Sequence, residues 1–209
     1  MLFKAIVLLS ALVFSVSFAE TKKEAKKEAK KETAETLKVD VAASTVEWTG
    51  IKKVGSKHVG HVKLKDGSVE FKAGKLAGGS FTFDMNSITN DDLKDKPDYQ
   101  TKLITHLKSD DFFKVEKNPE AKFQITSVKE KDGQPWVIGK LTLIGKTETL
   151  EFPAKVEMKD GVATGSAKLE IDRTKWGLTY GSGNFFKELV ADKIINDKFE
   201  LSVNLTAKK

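Results

Sequence analysis

The chain has 209 residues, of which 36 are Lys or Arg and 30 are Asp or Glu, and it contains no cysteine. Neither a disulfide nor a lipid attached to a lipobox cysteine is therefore available, and the fold must be stabilised by its own core. The net charge of +6 comes almost wholly from lysines interspersed with carboxylates, with Arg173 as the single arginine. This pattern is typical of a solvated surface and argues against nucleic-acid binding, which usually needs arginine and aromatic residues on one face.

The first residues, 1–19, predict a secretory signal peptide. Lys4 provides a positive start, an apolar run of about twelve residues follows, and Ser17 and Ala19 place small side chains where a signal peptidase requires them. We expect cleavage after Ala19, which leaves a periplasmic or secreted protein without an integral membrane span. A membrane anchor is the alternative, but the apolar run is shorter than the roughly 20 residues that cross a bilayer.

Residues 20–36 form a Lys/Glu/Ala repeat with a period of four. The repeat has no apolar face, so a helix here would gain nothing from packing and would be marginal in water. We interpret it as a solvated spacer. The folded domain is then expected to occupy residues 37–209.

From Leu37 onward, short segments alternate between apolar and polar residues. Phe81 and Phe83 share one face in this pattern, as do Leu141 and Leu143, and the pattern recurs through the chain up to Leu205. An alternation of period two predicts antiparallel strands with one apolar face. Turn sequences of the type Lys-Asp-Gly separate the segments, which favours a barrel or a sandwich.

One segment has helical spacing instead. Tyr99, Leu103 and Leu107 lie at i,i+4 positions, and Pro97 suits the first turn of a helix. We expect a single short helix that begins at Pro97 and ends near Ser109, inserted between two strands.

Three histidines are the candidates for a reactive or metal-binding site. His58 and His61 are three residues apart, which places them on opposite faces of a strand, and His106 would have to join them from elsewhere in the fold. Catalytic zinc sites usually take three protein ligands, so a metal-dependent enzyme or hydrolase built on these residues is the alternative function. The chain contains no G-x-S-x-G nucleophile motif, and we expect neither a catalytic residue nor a cofactor.

Arg173 directly follows an alternating segment, in a chain that otherwise uses lysine. A guanidinium pairs bidentately with a carboxylate, and the adjacent Asp110 and Asp111 in the loop after the predicted helix are plausible partners. We therefore expect a structural ion pair between Arg173 and one of these two aspartates.

Five stretches together resemble the YceI family of polyisoprenoid-binding, lipocalin-like secreted bacterial proteins. They are VDVAASTVEWTG (39–50), GGSFTFDMNSI (78–88), HLKSDDFF (106–113), GKLTLIGKT (139–147) and IDRTKWG (171–177). The resemblance covers residues 37–207. It implies an all-β fold, an eight-stranded antiparallel lipocalin-like barrel with one inserted short helix, and often a homodimer. It also implies an apolar tunnel that holds an isoprenoid or another long-chain lipid.

We therefore expect inward-facing apolar residues to bind the lipid. The candidates are Trp48, Phe81, Phe83, Phe112, Phe123, Leu141, Leu143, Phe152 and Trp176. Phe112 and Phe113 should plug the interior or its mouth, and Leu103 and Leu107 should dock the helix on the barrel. Two other hypotheses remain, which are the histidine-based enzyme and a structural protein whose barrel is packed shut.

Overall fold

The computed structural model describes residues 34–209, and this part of the chain contains eleven strands and one α-helix. The strands are β1 (Ala34–Val39), β2 (Thr45–Ile51), β3 (Lys57–His61), β4 (Lys63–Lys72), β5 (Lys75–Asp84), β6 (Glu120–Lys131), β7 (Gln134–Leu143), β8 (Lys146–Pro153), β9 (Lys155–Lys159), β10 (Val162–Asp172) and β11 (Lys198–Lys208). The helix α1 (Pro97–Lys108) lies between β5 and β6. Short 3₁₀ helices occupy Met85–Ser87, Arg173–Trp176 and Ala191–Lys193.

The eleven strands are segments of eight longer ones, because three of the eight are interrupted. β1 and β2 are separated by residues 40–44, and one edge of each pairs with β11. On the opposite edge, β1 pairs with β4 and β2 pairs with β3. β3 and β4 are separated by Val62, whose amide still donates to the Val46 carbonyl at 3.0 Å. β8 and β9 are separated by Ala154, whose amide donates to the Pro135 carbonyl at 2.9 Å. The predicted number of eight strands is thus recovered.

The pairings run around a complete circuit of antiparallel neighbours. They pass from β4 through β5, β6 and β7 to β8, then through β9 to β10 and β11, and return to β1 and β2. β10 pairs with β11 along its whole length but with β9 only over residues 162–166. Within the described residues, the rest of β10 has no ladder partner on that edge, so an unpaired seam faces β8. The predicted antiparallel, lipocalin-like barrel with one inserted helix is confirmed.

The two ends of the barrel differ in their connections. At one end, which we call the turn end, three tight hairpins have two central residues with positive φ, as at Asp132 and Gly133 (52° and 76°). Such turns match the right-handed twist of the strands. At the opposite end, the loop end, lie the turn 52–56, the helix-containing connection 85–119 and the long loop 177–197. All the long connections are therefore at the loop end.

The boundaries of the helix agree with the prediction, whereas the start of the first strand does not. The helix begins at Pro97 and ends at Lys108, as predicted, with Ser109 as its cap. The first strand begins at Ala34 instead of Leu37, because residues 34–36 pair with residues 70–72 of β4. The end predicted for the spacer is therefore wrong by three residues. The predicted signal peptide and the start of the spacer lie outside the described residues.

The core consists mainly of the inward faces of the strands, with additional residues from the connections, such as Leu178. Leu37, Val46, Ile171 and Leu178 are among its most deeply buried side chains, at 0–2% exposure. In residues 34–209, no helix is both long enough and apolar enough to cross a membrane.

Candidate functional site

The interior of the barrel contains an apolar cavity of about 740 Å³. Its wall is built mainly from the inward-facing positions of the strands, because alternate residues of a strand point to the same side. Ligand pockets usually have volumes between about 300 and 1,000 Å³, so this cavity can accommodate a molecule with a long apolar chain. The hypothesis of a barrel packed shut by its own side chains is wrong.

Eight of the nine predicted lipid-binding residues lie on the cavity wall. They are Trp48 on β2, Phe81 and Phe83 on β5, Phe123 on β6, Leu141 and Leu143 on β7, Phe152 on β8, and Phe112 in the segment after α1. Three of the aromatic rings form a continuous row, with centroid distances of 6.3 Å between Phe81 and Phe123 and 5.7 Å between Phe123 and Phe152. That these residues bind a ligand stays a prediction.

Trp176 is the exception, because it does not line the cavity. Its side chain is 2% exposed and packs in the core, and its Nε1 donates to the Leu141 carbonyl at 3.2 Å. Trp176 lies in the 3₁₀ helix that follows β10, so the alternation of the strand no longer sets the direction of its side chain. The Asp172 carboxylate caps this helix by accepting from the Thr174 amide at 3.0 Å.

Trp48 lines the cavity and carries a buried polar atom. Its Nε1 is buried and has no hydrogen-bond partner among the described residues. Gly60 lies opposite Trp48 on β3, and a Cβ at this position would lie 2.7 Å from the indole ring and 1.9 Å from the Thr89 carbonyl oxygen. Glycine at position 60 therefore leaves the space that the indole ring and the Thr89 carbonyl occupy.

Further wall residues were not among the predicted ligand-binding set. Phe199, Leu201, Val203 and Leu205 of β11 line the cavity, and their alternation in the sequence would have identified them. Others come from the loop 177–197, where no periodic pattern exists. They are Leu178, Tyr180, Gly181, Phe186, Leu189, Lys193, Ile195 and Asn196.

The segment around His106 closes part of the loop end. Leu103, His106 and Leu107 of α1 line the cavity, as does Phe112. The His106 ring meets the Phe112 ring edge-on at 5.0 Å, and it meets the Tyr180 ring edge-on at 4.6 Å. The predicted docking of α1 on the barrel is therefore present, and these aromatic rings border the cavity.

The predicted ion pair between Arg173 and Asp110 or Asp111 is wrong. Asp110 binds the Lys117 ammonium at 3.1 Å and Asp111 binds His106 at 2.9 Å, and both carboxylates are largely exposed. Arg173 is buried, with 4% exposure. A buried guanidinium requires partners in the interior, whereas these two aspartates lie at the surface.

Arg173 instead anchors the loop 177–197 to the barrel. Its guanidinium donates to the backbone carbonyls of Leu178, Ile195 and Asn196, the last two at 3.0 Å. The nearest carboxylate is that of Asp197, at 3.8 Å. Burial lowers the pKa of Arg173, but the nearby carboxylates of Asp197 and Asp172 oppose this shift. One arginine thus ties both ends of the loop to the end of β10.

The carboxylate of Asp197 is also part of this anchor. Burial raises its pKa, but hydrogen bonds from Ser182 and Asn184 and the charge of Arg173 outweigh burial and hold the pKa below its ordinary value of 3.8. The Asn184 amide donates to Asp197 Oδ2 at 2.6 Å. Ionised Asp197 is therefore bound more favourably in the folded state than in the unfolded chain.

We expect the protein to lose stability in acid partly through Asp197. Because its folded pKa is depressed, its contribution is complete at neutral pH, declines once the pH falls below about 5, and is lost below the folded pKa. Asp197→Asn should therefore lower stability at neutral pH and flatten the dependence of stability on pH. Urea unfolding between about pH 6 and about pH 3 measures this slope.

The matched control for this measurement is Asp110→Asn, which alters an exposed carboxylate. It should leave the slope unchanged, because surface ion pairs contribute little. Equal slopes for wild type and Asp197→Asn would contradict the assignment.

The three histidines do not form a common site. His58 Nδ1 lies 2.8 Å from Asp92, His61 Nδ1 lies 2.7 Å from Asp91, and His106 pairs with a third carboxylate. Within residues 34–209, no group of three or more histidine or carboxylate side chains is close enough to hold a metal ion. The structure therefore offers no assembled constellation for the metal-dependent alternative.

Comparisons with known proteins agree with the geometry. The model of the YceI-like domain family matches residues 37–207. A UPF0312 protein from Shewanella denitrificans is 35% identical over 97 residues, which are 46% of this chain and 48% of that protein. A UPF0312 protein from Serratia proteamaculans is 38% identical over an alignment of 89 residues, and the match covers 37% of this chain and 44% of that protein. The chain thus spans about half the length of the curated relatives it matches.

Solved structures share the fold over most of the chain. BcnA from Burkholderia cenocepacia has a TM-score of 0.65 and 26% identity, with 81% of this chain and 99% of that chain covered. A polyisoprenoid-binding domain from Saccharophagus degradans, implicated in plant cell wall breakdown, has a TM-score of 0.58 and 13% identity, with coverages of 82% and 97%. A YceI protein from Campylobacter jejuni has a TM-score of 0.53 and 21% identity, with coverages of 70% and 82%.

Proposed function

Because this chain belongs to the family of YceI-like domains, we propose that it is a non-catalytic binding protein that holds a polyisoprenoid or another long apolar chain inside its barrel. The observation that carries the proposal is the apolar cavity of about 740 Å³. Eight-stranded barrels have an interior large enough for one small ligand when side chains do not fill it.

The chemistry of the wall selects the class of ligand. Aliphatic and aromatic side chains from all around the barrel face the cavity, and each Å² of apolar ligand surface buried against them contributes about 25 cal/mol before the costs of association. A polar ligand would lose its hydrogen bonds to water without replacement over most of this wall. A long hydrocarbon chain has no such loss.

We also propose that binding takes place outside the cytoplasm. The support is the signal peptide predicted for residues 1–19, which directs the chain across the inner membrane. In an aqueous compartment such as the periplasm, an apolar chain needs a carrier, since water excludes it. Mass spectrometry of the intact mature protein, purified from the periplasm or the medium, tests the expected cleavage after Ala19.

The test of binding is mass spectrometry of the lipid that co-purifies with the protein. We expect an apolar chain in roughly equimolar amount after expression in bacteria and extraction with organic solvent. An extract without an apolar molecule, from protein that also fails to bind an added prenyl alcohol, would contradict the proposal.

Tryptophan fluorescence provides the readout for added ligand. Trp48 lines the cavity, whereas Trp136 and Trp176 do not, so a ligand in the barrel should change the emission of Trp48. Trp48→Phe should abolish most of the change in emission. Trp136→Phe is the matched control and should preserve it.

A further inference from the structure

Exposed apolar side chains are concentrated at the loop end of the barrel. Among the described residues, eight large apolar side chains are exposed, and four of them belong to the loop 177–197: Tyr180, Phe185, Phe186 and Val190. Phe185 and Val190 are 58% and 64% exposed. A fifth, Val54, lies in the neighbouring turn 52–56. Clusters of exposed apolar residues mark interaction surfaces, whereas single ones need no explanation.

The loop and the turn form one surface, because backbone hydrogen bonds join them. The Lys53 amide donates to the Ile194 carbonyl at 3.0 Å, and the Asn196 amide donates to the Ile51 carbonyl at 2.9 Å. The base of the loop is closed by the Ile195 amide, which donates to the Gly181 carbonyl at 2.8 Å. We call residues 52–57 together with 177–197 the loop-end platform.

The platform borders the cavity. Phe186 and Tyr180 both line the cavity, and they are also 41% and 43% exposed to solvent. Each of these two side chains therefore contacts both the cavity and the solvent outside. Phe185 and Val190 do not line the cavity. The exposed apolar groups therefore belong to segments that also reach the cavity, which approaches the surface at Tyr180 and Phe186, while Phe185 and Val190 have no role in forming its wall.

The platform is also positively charged. Its lysines are Lys52, Lys53, Lys57, Lys187 and Lys193, and its carboxylates are Glu188, Asp192 and Asp197. Asp197 is turned toward Arg173 and is mostly buried. The surface of the platform therefore carries five lysines and two carboxylates, which together give it a charge of about +3.

We propose that the loop-end platform docks on the surface of an anionic phospholipid bilayer. Aromatic and aliphatic side chains insert at the boundary between head groups and acyl chains, while lysines around them bind anionic head groups. Docking in this orientation turns the place where the cavity approaches the surface toward the membrane. The proposal goes beyond ligand binding and can be tested on protein without ligand.

A second copy of this chain is the rival occupant of the platform, and the charge argues against it. In a two-fold dimer the same surface patch occurs on both partners, so five lysines would face five lysines. Like charges brought together oppose association, whereas a bilayer containing phosphatidylglycerol supplies the opposite charge.

Vesicle co-sedimentation tests the proposal. The probes are vesicles of equal parts phosphatidylglycerol and phosphatidylethanolamine, and vesicles of phosphatidylcholine alone. We expect the purified protein to bind the anionic vesicles, to bind the phosphatidylcholine vesicles weakly, and to be released by salt, which screens the lysines. Phe185→Ser combined with Val190→Ser should weaken binding to anionic vesicles at least about tenfold, because two apolar side chains no longer enter the bilayer.

The matched control is Val162→Ser, which removes an exposed apolar side chain at the turn end. It should bind like the wild type. All three proteins keep the same lysine-rich segment before residue 34, so a difference between them reports the platform. Equal binding by wild type and the double variant would overturn the proposal, as would a failure of the wild type to bind. A dimer in solution that the double variant dissociates would assign the platform to a second copy instead.

Discussion

Replacing Arg173 with methionine is expected to lower the free energy of unfolding by roughly 3–5 kcal/mol, the usual effect of removing one partner of a buried charged group. Arg173 is 4% exposed and donates to three backbone carbonyls of the loop 177–197. Methionine has a similar length but no donor. The carbonyls and the Asp197 carboxylate would lose their partner in a region that water does not reach freely.

Arg173→Lys should be milder but still destabilising, by roughly 1–3 kcal/mol. Lysine keeps the charge but presents it at a single nitrogen, which cannot reach three carbonyls in the planar fork that the guanidinium provides. Urea unfolding followed by far-ultraviolet circular dichroism measures both variants. Because the loop 177–197 would lose its anchor, cleavage by a protease within this loop should also become faster in both.

The matched control is Lys175→Met, two residues away, where the side chain is exposed. It should change the free energy of unfolding by less than about 0.5 kcal/mol. Variants of Arg173 that unfold at the same urea concentration as the wild type would show that the anchor contributes nothing to stability.

The importance of Arg173 could be predicted from the sequence, but its binding partners could not. The single arginine in a lysine-rich chain was a signal that this position is special, and the structure places it in the interior. Its partners could not be predicted, because they are backbone carbonyls of a loop. Every residue has a backbone carbonyl, so the residue types in the loop do not indicate which carbonyls accept the hydrogen bonds. A search for side-chain partners therefore led to Asp110 and Asp111, which lie at the surface.

The cavity wall was predictable wherever residues belong to strands. In a strand the period of two directly sets which side chains point inward, so Phe81, Phe83 and Phe123 reach the cavity as predicted from their alternation. Trp176 follows the end of such a strand, and its position was not predictable by alternation. The loop residues at the cavity, such as Phe186, have no period at all, and only the three-dimensional structure locates them.

The alternation of apolar and polar residues likewise did not indicate where the strands are interrupted. At Val62 and Ala154 the chain leaves one ladder and enters another, although the apolar alternation continues with little change. Both interruptions are changes of hydrogen-bond partner, which the side chains do not encode. The number of eight strands was implied by the resemblance to the YceI family, whereas nothing in the sequence indicated the seam between β8 and β10.

Filling the cavity is expected to abolish lipid binding without unfolding the protein. Leu201 lies in the middle of β11, pairs with Trp48 on one side and Leu169 on the other, and lines the cavity. Leu201→Trp places an indole in the space that the ligand would occupy. Because the added volume enters an existing cavity and not a packed core, we expect the free energy of unfolding to change by less than about 1.5 kcal/mol.

The measurement is the amount of apolar molecule extracted per mole of protein, which should fall at least about tenfold in Leu201→Trp if the ligand loses the apolar contacts of the cavity. Glu200→Trp is the matched control, since the neighbouring side chain on β11 is exposed and alternation turns it outward. This control adds the same indole but should retain the wild-type amount of lipid. If Leu201→Trp also retained that amount, the ligand would have to bind outside the barrel, at the platform or the seam, since the indole and a long apolar chain cannot fill the same space.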